Sequence, residues 1–442
     1  MTDSSYANRK ISFQIITEFF HENKQLTEVT SKYLNKNISS IDRKFITSLV
    51  KGVIRLKSAL DLDIEKSFHG NIKNLNITAL NILRIGVYQI RHMDSVPNYA
   101  AVSTSVEIGK RIDRNLSQLL NAVLRQVGRT APLTVPSRSE YDITSFKHFS
   151  HPKWLLEKWI KDLGKNTTYD LINWNNEIPK FWIRLNSQLL SIDDFIDFLD
   201  ENKIKHEQFS EINTYFKVSE LQSIINSNFF KSGMIYVQNP SSGLAVKLLE
   251  PTCDDTIIDA CAAPGGKTSH MSELMEQNGN IIACDNNSTR FERLKKTITR
   301  MKASNVKLIF TDIIDTKAIT CNKILVDAPC TGTGAIAKHP DIKWRRKKTH
   351  LKEMHDLQKR ILASASKLLQ KNGILVYGTC SLEKEENWDV IDEFLSEHPN
   401  FKIQNANNFI SSKFVDEKGA IFTCPPIHKI DGGFAVRLIK ND

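Results

Sequence analysis

Residues 256–285 read TIIDACAAPGGKTSHMSELMEQNGNIIACD: an apolar run, a turn with two adjacent glycines, a helix-length stretch and a second apolar run. That order is strand, turn, helix, strand. The alternation continues downstream. STRFERLKKTITRMK reads as a helix, and VKLIFTD, KILVDAPC and ILVYGTC as strands, the last two separated by a long helix ending at KLLQKNG. A helix EENWDVIDEFLSEH and a strand FAVRLIK close the chain. From about residue 233 this pattern predicts a doubly wound parallel sheet, with ligands gathered at the carboxyl ends of its strands.

Upstream the character changes twice. Residues 1–135 read as helical, with apolar residues at helical spacing in FITSLVKGVIRLKSAL, ALNILRIGVYQIRHM and NLSQLLNAVLRQVGR. Pro97 breaks the pattern before another helix. APLTVPSRSEYD, at 131–142, reads as a linker. Residues 136–232 then combine helices with the short strands WIRLN and YFKVS, a small α/β module. Trp154, Trp159, Trp174 and Trp182 are read there as core residues. The predicted domains are therefore 1–135, 136–232 and 233–442.

A chain of 442 residues exceeds one ordinary core. It has no apolar run long enough to span a membrane, and residues 1–20 lack a signal-peptide core, so a cytoplasmic protein is expected. The formal charge is +10, and residues 1–135 carry nineteen Lys/Arg against eleven Asp/Glu. Such a basic domain points to a polyanion, most simply nucleic acid. The seven cysteines form no CxxC pair and no zinc spacing, so no metal is expected. Cys253, Cys284 and Cys321 read as buried small residues.

The turn CAAPGGKT resembles a P-loop only at its end. Cys261 stands where Walker A needs glycine, and Pro264 removes an N–H from the phosphate cradle. Asp285 and Asp312 end the next two strands, where carboxylates accept from a ribose and an adenine amino group. An adenosine site without a phosphate cradle suits S-adenosylmethionine better than NAD or ATP.

Cys330 and Cys380 each close an apolar strand, in DAPCTGTG and YGTCSLEKEEN. Thiolate addition at C6 of cytosine converts the ring to an enamine and makes C5 nucleophilic, which is covalent catalysis by sulfur. Asp327, three residues before Cys330, is placed to hydrogen-bond the protonated ring near N3. One cysteine suffices to attack, and spacing does not rank the two. Residues 338–352 hold seven Lys/Arg with Asp341 as their one acid, so Lys343, Arg345, Arg346, Lys347 and Lys348 are expected to bind RNA phosphates, with Trp344 presented for stacking.

DACAAPGGKT, DAPCTGTGAIAKHPDIKW and YGTCSLEKEEN resemble the motifs of the RsmB/NOP RNA (cytosine-5)-methyltransferases. VQNPSSGLAV at 237–246 resembles the opening of that catalytic domain, and DRKFITSLVKGVIR, LRIGVYQI and LNAVLRQV resemble a NusB-type RNA-binding domain. The fusion resembles the RsmB (Sun/Fmu) branch. The resemblance implies a NusB-like helical bundle, a small α/β module and a Rossmann-like S-adenosylmethionine-dependent methyltransferase. It implies 16S rRNA as substrate, naked or in a partly assembled small subunit, with cytosine 967 of standard 16S numbering modified by a monomeric enzyme. It makes Cys380 the nucleophile and Cys330 the aid to product release. It puts the cofactor on Cys261, Ala262, Ala263, Pro264, Gly265, Gly266, Lys267, Asp285, Asp312 and Asp327, with Asp327 and Lys267 also in the catalytic set. Thr331 departs from the usual Ser, and DGGFAV from an aromatic-richer pattern. The competing readings are a tRNA cytosine-5 methyltransferase, and a non-catalytic RNA-binding or antitermination factor.

Overall fold

The computed structural model describes residues 3–22, 24–34, 38–316 and 319–441. They form two compact units, Met1–Ile178 with Ile336–Arg346, and Pro179–Ala335 with Lys347–Asp442. Among the described residues, no helix is long and apolar enough to cross a membrane.

The first unit is helical. Its helices are α1 (Asp3–Glu22), α2 (Leu26–Tyr33), α3 (Ser40–Arg55), α4 (Lys57–Ser67), α5 (Ile77–His92), α6 (Asn98–Ile112), α7 (Leu116–Arg129), α8 (Lys153–Leu163) and α9 (Lys165–Asn176). Side-chain caps start two of them: Ser39 accepts from Asp42 N–H, and Asn76 from Ala79 N–H. On α7, Leu116, Leu120, Val123, Leu124 and Val127 make one buried stripe. The expected long helix through 45–60 is two helices that break at Leu56.

Ile336–Arg346 packs into this unit, although the sequence places it beside the first cysteine motif. Lys343 is 1% exposed, and its Nζ donates to Arg55 O (2.8 Å) and Asn176 Oδ1 (3.0 Å). Trp344 Nε1 donates to Ile54 O (2.7 Å), and Lys57 Nζ lies 4.6 Å from its ring. Arg55 returns a bond to Ala337 O (2.9 Å). This departs from the expectation for two residues: Lys343 is buried, and Trp344 is half-buried with its ring N–H taken by Ile54 O. Arg345 and Arg346 are half-buried, while Lys347 and Lys348 are exposed.

The second unit holds two sheets. The smaller runs β2-β3-β1-β4, all antiparallel, with β1 Phe181–Leu185, β2 His206–Gln208, β3 Tyr215–Val218 and β4 Ile235–Val237. Trp159 and Trp182 are buried, as read from the sequence; Trp154 and Trp174 are half-buried. Fully buried Arg184 on β1 pairs with Glu273 and donates to Ser269 Oγ (2.9 Å), both on the helix Gly266–Leu274. Removing one partner of a buried ion pair costs about 3–5 kcal/mol, so this pair braces the helix that carries Lys267.

The larger sheet runs β10-β12-β9-β8-β5-β6-β7, with β11 beside β12. Its strands are β5 Thr256–Asp259, β6 Asn280–Asp285, β7 Val306–Phe310, β8 Cys321–Asp327, β9 Leu369–Thr379, β10 Phe401–Gln404, β11 Ile421–Thr423 and β12 Gly433–Lys440. β7, β6, β5, β8 and β9 are mutually parallel. β12 is antiparallel to β9, so the sheet is mixed where a parallel one was expected. Strand order reverses at the β5/β8 boundary, the switch point where doubly wound sheets place their ligands.

Candidate active site

Two parallel strands end side by side at the switch point. Asp327 on β8 pairs in register with Gly378 on β9. Three residues past Asp327 comes Cys330, and two past Gly378 comes Cys380. Their sulfurs are 3.3 Å apart. Cys380 is exposed and Cys330 half-buried. Cys380, Lys267 and Asp327 line an open cleft with ≈ 350 Å³ of empty space, together with Ser241, Thr423 and Phe434.

The Cys330 thiol is electrically perturbed. The hydrogen bond to Cys380, burial and the charge of Glu386 push the Cys330 thiol well above its ordinary value. Lys267 Nζ lies 2.6 Å from Asp327 Oδ2. Burial pulls the lysine down, but Asp327 and Cys380 outweigh it and hold the ammonium charged. The Lys267 ammonium and Cys380 line the same cleft.

A buried polar network grips both cysteine turns. Gln358 Nε2 donates to Pro329 O (2.9 Å), just before Cys330. Asn387 takes the Thr379 hydroxyl (2.6 Å) and donates to Ser381 O (3.0 Å), on either side of Cys380. Glu386 Oε1 accepts from Thr331 N–H (2.7 Å), and its Oε2 from the Thr331 and Ser381 hydroxyls. Burial pushes Glu386 up, against the donors from Ser381 and Thr331. Gln358, Glu386 and Asn387 escaped the sequence reading. For Glu386 and Asn387 the signal was the pair of acids and the asparagine in KEEN, hidden in one charged run.

The cofactor-side acids are held by backbone. Asp285 accepts from Ala263 N–H (3.3 Å) and Asn287 N–H (2.9 Å), with Arg290 at 3.2 Å. Asp312 accepts from Asn286 Nδ2 (2.7 Å) and Ile314 N–H (3.0 Å). Both stand at strand ends, where they could also accept from a ligand. Asp259, another residue missing from the candidate set, is buried at the end of β5. Burial pushes it up to about 7, against the Thr268 hydroxyl that donates to its Oδ2. Its Oδ1 has no partner.

Other details correct the reading. Cys284 and Cys321 are buried, but Cys253 is exposed. Within DGGFAV, Gly432 is held close to Gly334: a Cβ on Gly334 would meet Gly432 O at 2.3 Å, and one on Gly432 would meet Gly334 Cα at 2.8 Å. The two glycines let the turn after Cys330 lie against the start of β12.

Fold and sheet topology together define a Rossmann-like methyltransferase behind a helical domain. Three family descriptions match: NusB family over 7–129, Methyltr_RsmF/B-like ferredoxin-like domain over 151–223, and 16S rRNA methyltransferase RsmB/F over 246–439. A ribosomal RNA small subunit methyltransferase B of Yersinia pestis bv. Antiqua is 30% identical, over 90% of this chain and 91% of its own. That of Pectobacterium atrosepticum is 29% identical over 99% and 100%. The solved structure of PH0851 is similar with a TM-score of 0.81 at 26% identity, covering 98% of this chain and 99% of that one. The chain belongs to the 16S rRNA methyltransferase RsmB/F family.

Proposed function

We propose that the protein methylates C5 of a cytosine in 16S rRNA, position 967 by resemblance, through a covalent bond from Cys380 to C6. Family membership carries the coarser part, methylation of small-subunit rRNA. One observation supports the finer part: Cys380 lies on the cleft with Lys267 and Asp327, and Cys330 lies 3.3 Å from its sulfur.

The residues fit S-adenosylmethionine as cofactor. A carboxylate ends β6 and another follows β7 by two residues, and the buried, unpartnered Asp259 Oδ1 beside the turn would be satisfied by a cationic ligand group. The 261–267 turn, Asp285, Asp312 and Asp327 would hold the group, which supplies an electrophilic methyl. Cys380 adds to C6 while the proton its thiol gives up ends on N3, and Asp327 accepts the N3–H bond. C5 then carries the nucleophilic electron pair. After transfer, C5 loses its proton, Cys380 departs as thiolate and N3 gives back its proton, which restores the aromatic ring and resets the thiol. Cys330 is placed to assist that departure.

The test uses 16S rRNA labelled with tritium at cytosine C5. Tritium should pass to water in step with methyl incorporation. Methylation with full retention of tritium would move the reaction off C5.

A further inference from the structure

We propose that Glu386 is the positioning residue that sets the distance between the two reactive thiols, by tying together the residues that follow each of them. The inference deepens the proposed function and rests on that reading only for its catalytic arm.

The geometry is specific. Thr331 follows Cys330 and Ser381 follows Cys380. Both hydroxyls donate to the same oxygen of Glu386, and the Thr331 N–H donates to the other (2.7 Å). Glu386, Thr331 and Ser381 are each 1% exposed or less. The two turns leave different strands and share two backbone bonds, Ala328 N–H to Gly378 O (2.9 Å) and Gly334 N–H to Cys380 O (3.0 Å). The carboxylate adds the tie between the residues next to the thiols themselves, and Gln358 Nε2 (3.3 Å) and the Tyr377 hydroxyl, donating to Glu386 O (2.7 Å), hold Glu386 itself. The threonine after Cys330 fits this role, because it supplies the same hydroxyl that serine would.

The chemistry needs that spacing. Cys380 must reach C6 while Cys330 stays near enough to act on the adduct. Glu386 bonds the residues that follow the two thiols, and it acts on their spacing through Thr331 and Ser381. A misplacement of about 1 Å in a catalytic group costs roughly 10²-fold.

The experiment measures the distance and the reaction separately on the full-length protein. Diamide converts two neighbouring thiols to one disulfide, taking up their two electrons and two protons. The rate at which the linked Cys330–Cys380 peptide forms, read by mass spectrometry without RNA, is a ruler that needs no methylation. Glu386→Ala should slow it by roughly 10²-fold, lower kcat far more than it raises KM, and raise the fraction of enzyme trapped on RNA. Glu386→Gln keeps the side-chain length and an acceptor for Thr331 N–H, and should recover most of the rate. A folded Glu386→Ala protein with unchanged linking rate and kcat would overturn the proposal. If that variant fails to fold, the Thr331→Val, Ser381→Ala double variant takes its place, and unchanged values there overturn it equally. A slowed ruler in a protein that never labels C5 would keep the positioning role and reject the proposed reaction.

Discussion

The strand ends on the two sides of the switch point are built differently. On the β8/β9 side, the turns bearing Cys330 and Cys380 are tied by buried side chains, Gln358, Glu386 and Asn387. On the β5/β6/β7 side, Asp285 and Asp312 take backbone N–H groups at the turn residues, and Asp259 leaves one oxygen unpartnered. One half fixes reacting atoms against each other. The other keeps acceptors pre-aligned for a ligand. Lys267 belongs to both, as it starts from the glycine turn and pairs with Asp327. If this division holds, damage on the cysteine side should strike turnover, and damage on the carboxylate side should strike affinity.

The largest effect is expected at Cys380. Cys380→Ala should lower methylation at least 10³-fold, roughly the loss seen when a covalent nucleophile is removed, while cofactor affinity measured by calorimetry stays unchanged. Residual activity of more than a few per cent would erase the distinction between the halves. Cys330→Ala should sharpen it. Its first turnover should survive while later ones fail, because the enzyme remains on RNA through Cys380. A denaturing gel should show a protein–RNA band under turnover conditions. Its absence would remove Cys330 from product release.

The carboxylate side should respond more mildly. Asp285→Ala removes a charged acceptor worth about 1.5–3 kcal/mol, which is roughly a ten- to hundred-fold loss of S-adenosylmethionine affinity. kcat at saturating cofactor should change little. Unchanged affinity would take Asp285 out of the cofactor site.

Some of this was legible in the sequence and some was not, for physical reasons. Parallel strands covered on both faces are near-continuous apolar runs, so KILVD and ILVYGT announced β8 and β9 and put both cysteines at strand ends. FAVRLIK is equally apolar, and nothing in it encodes that β12 runs antiparallel. The KEEN acids look like a solvated charge run until the fold closes over Glu386. The 343–348 segment misleads in the opposite direction. A lysine between an isoleucine and a tryptophan reads as surface chemistry, yet Lys343 finds two carbonyl-type acceptors inside the helical unit.

That segment gives the smallest and last prediction. Lys347 and Lys348 are exposed, whereas Lys343 is buried with its ammonium on Arg55 O and Asn176 Oδ1. Burial and the charge of Arg55 push Lys343 well below its ordinary value, so it offers little to a phosphate. The run of basic residues should therefore split by function. Each lysine that neutralises a phosphate releases about one counterion, so the Lys347→Ala, Lys348→Ala double variant should flatten the log–log salt dependence of RNA binding by about 2. Affinity should fall only a few-fold at moderate salt, uniformly across RNA sequences. Lys343→Ala should leave that slope unchanged and instead lower the melting temperature, because it removes the donor to half-buried Asn176 Oδ1 and to the carbonyl of buried Arg55, the latter at about 1–3 kcal/mol. Titration of one RNA at four salt concentrations, paired with thermal melts, separates the two. A slope change for Lys343→Ala, with none for the exposed pair, would mean that RNA binding draws this segment out of the helical unit.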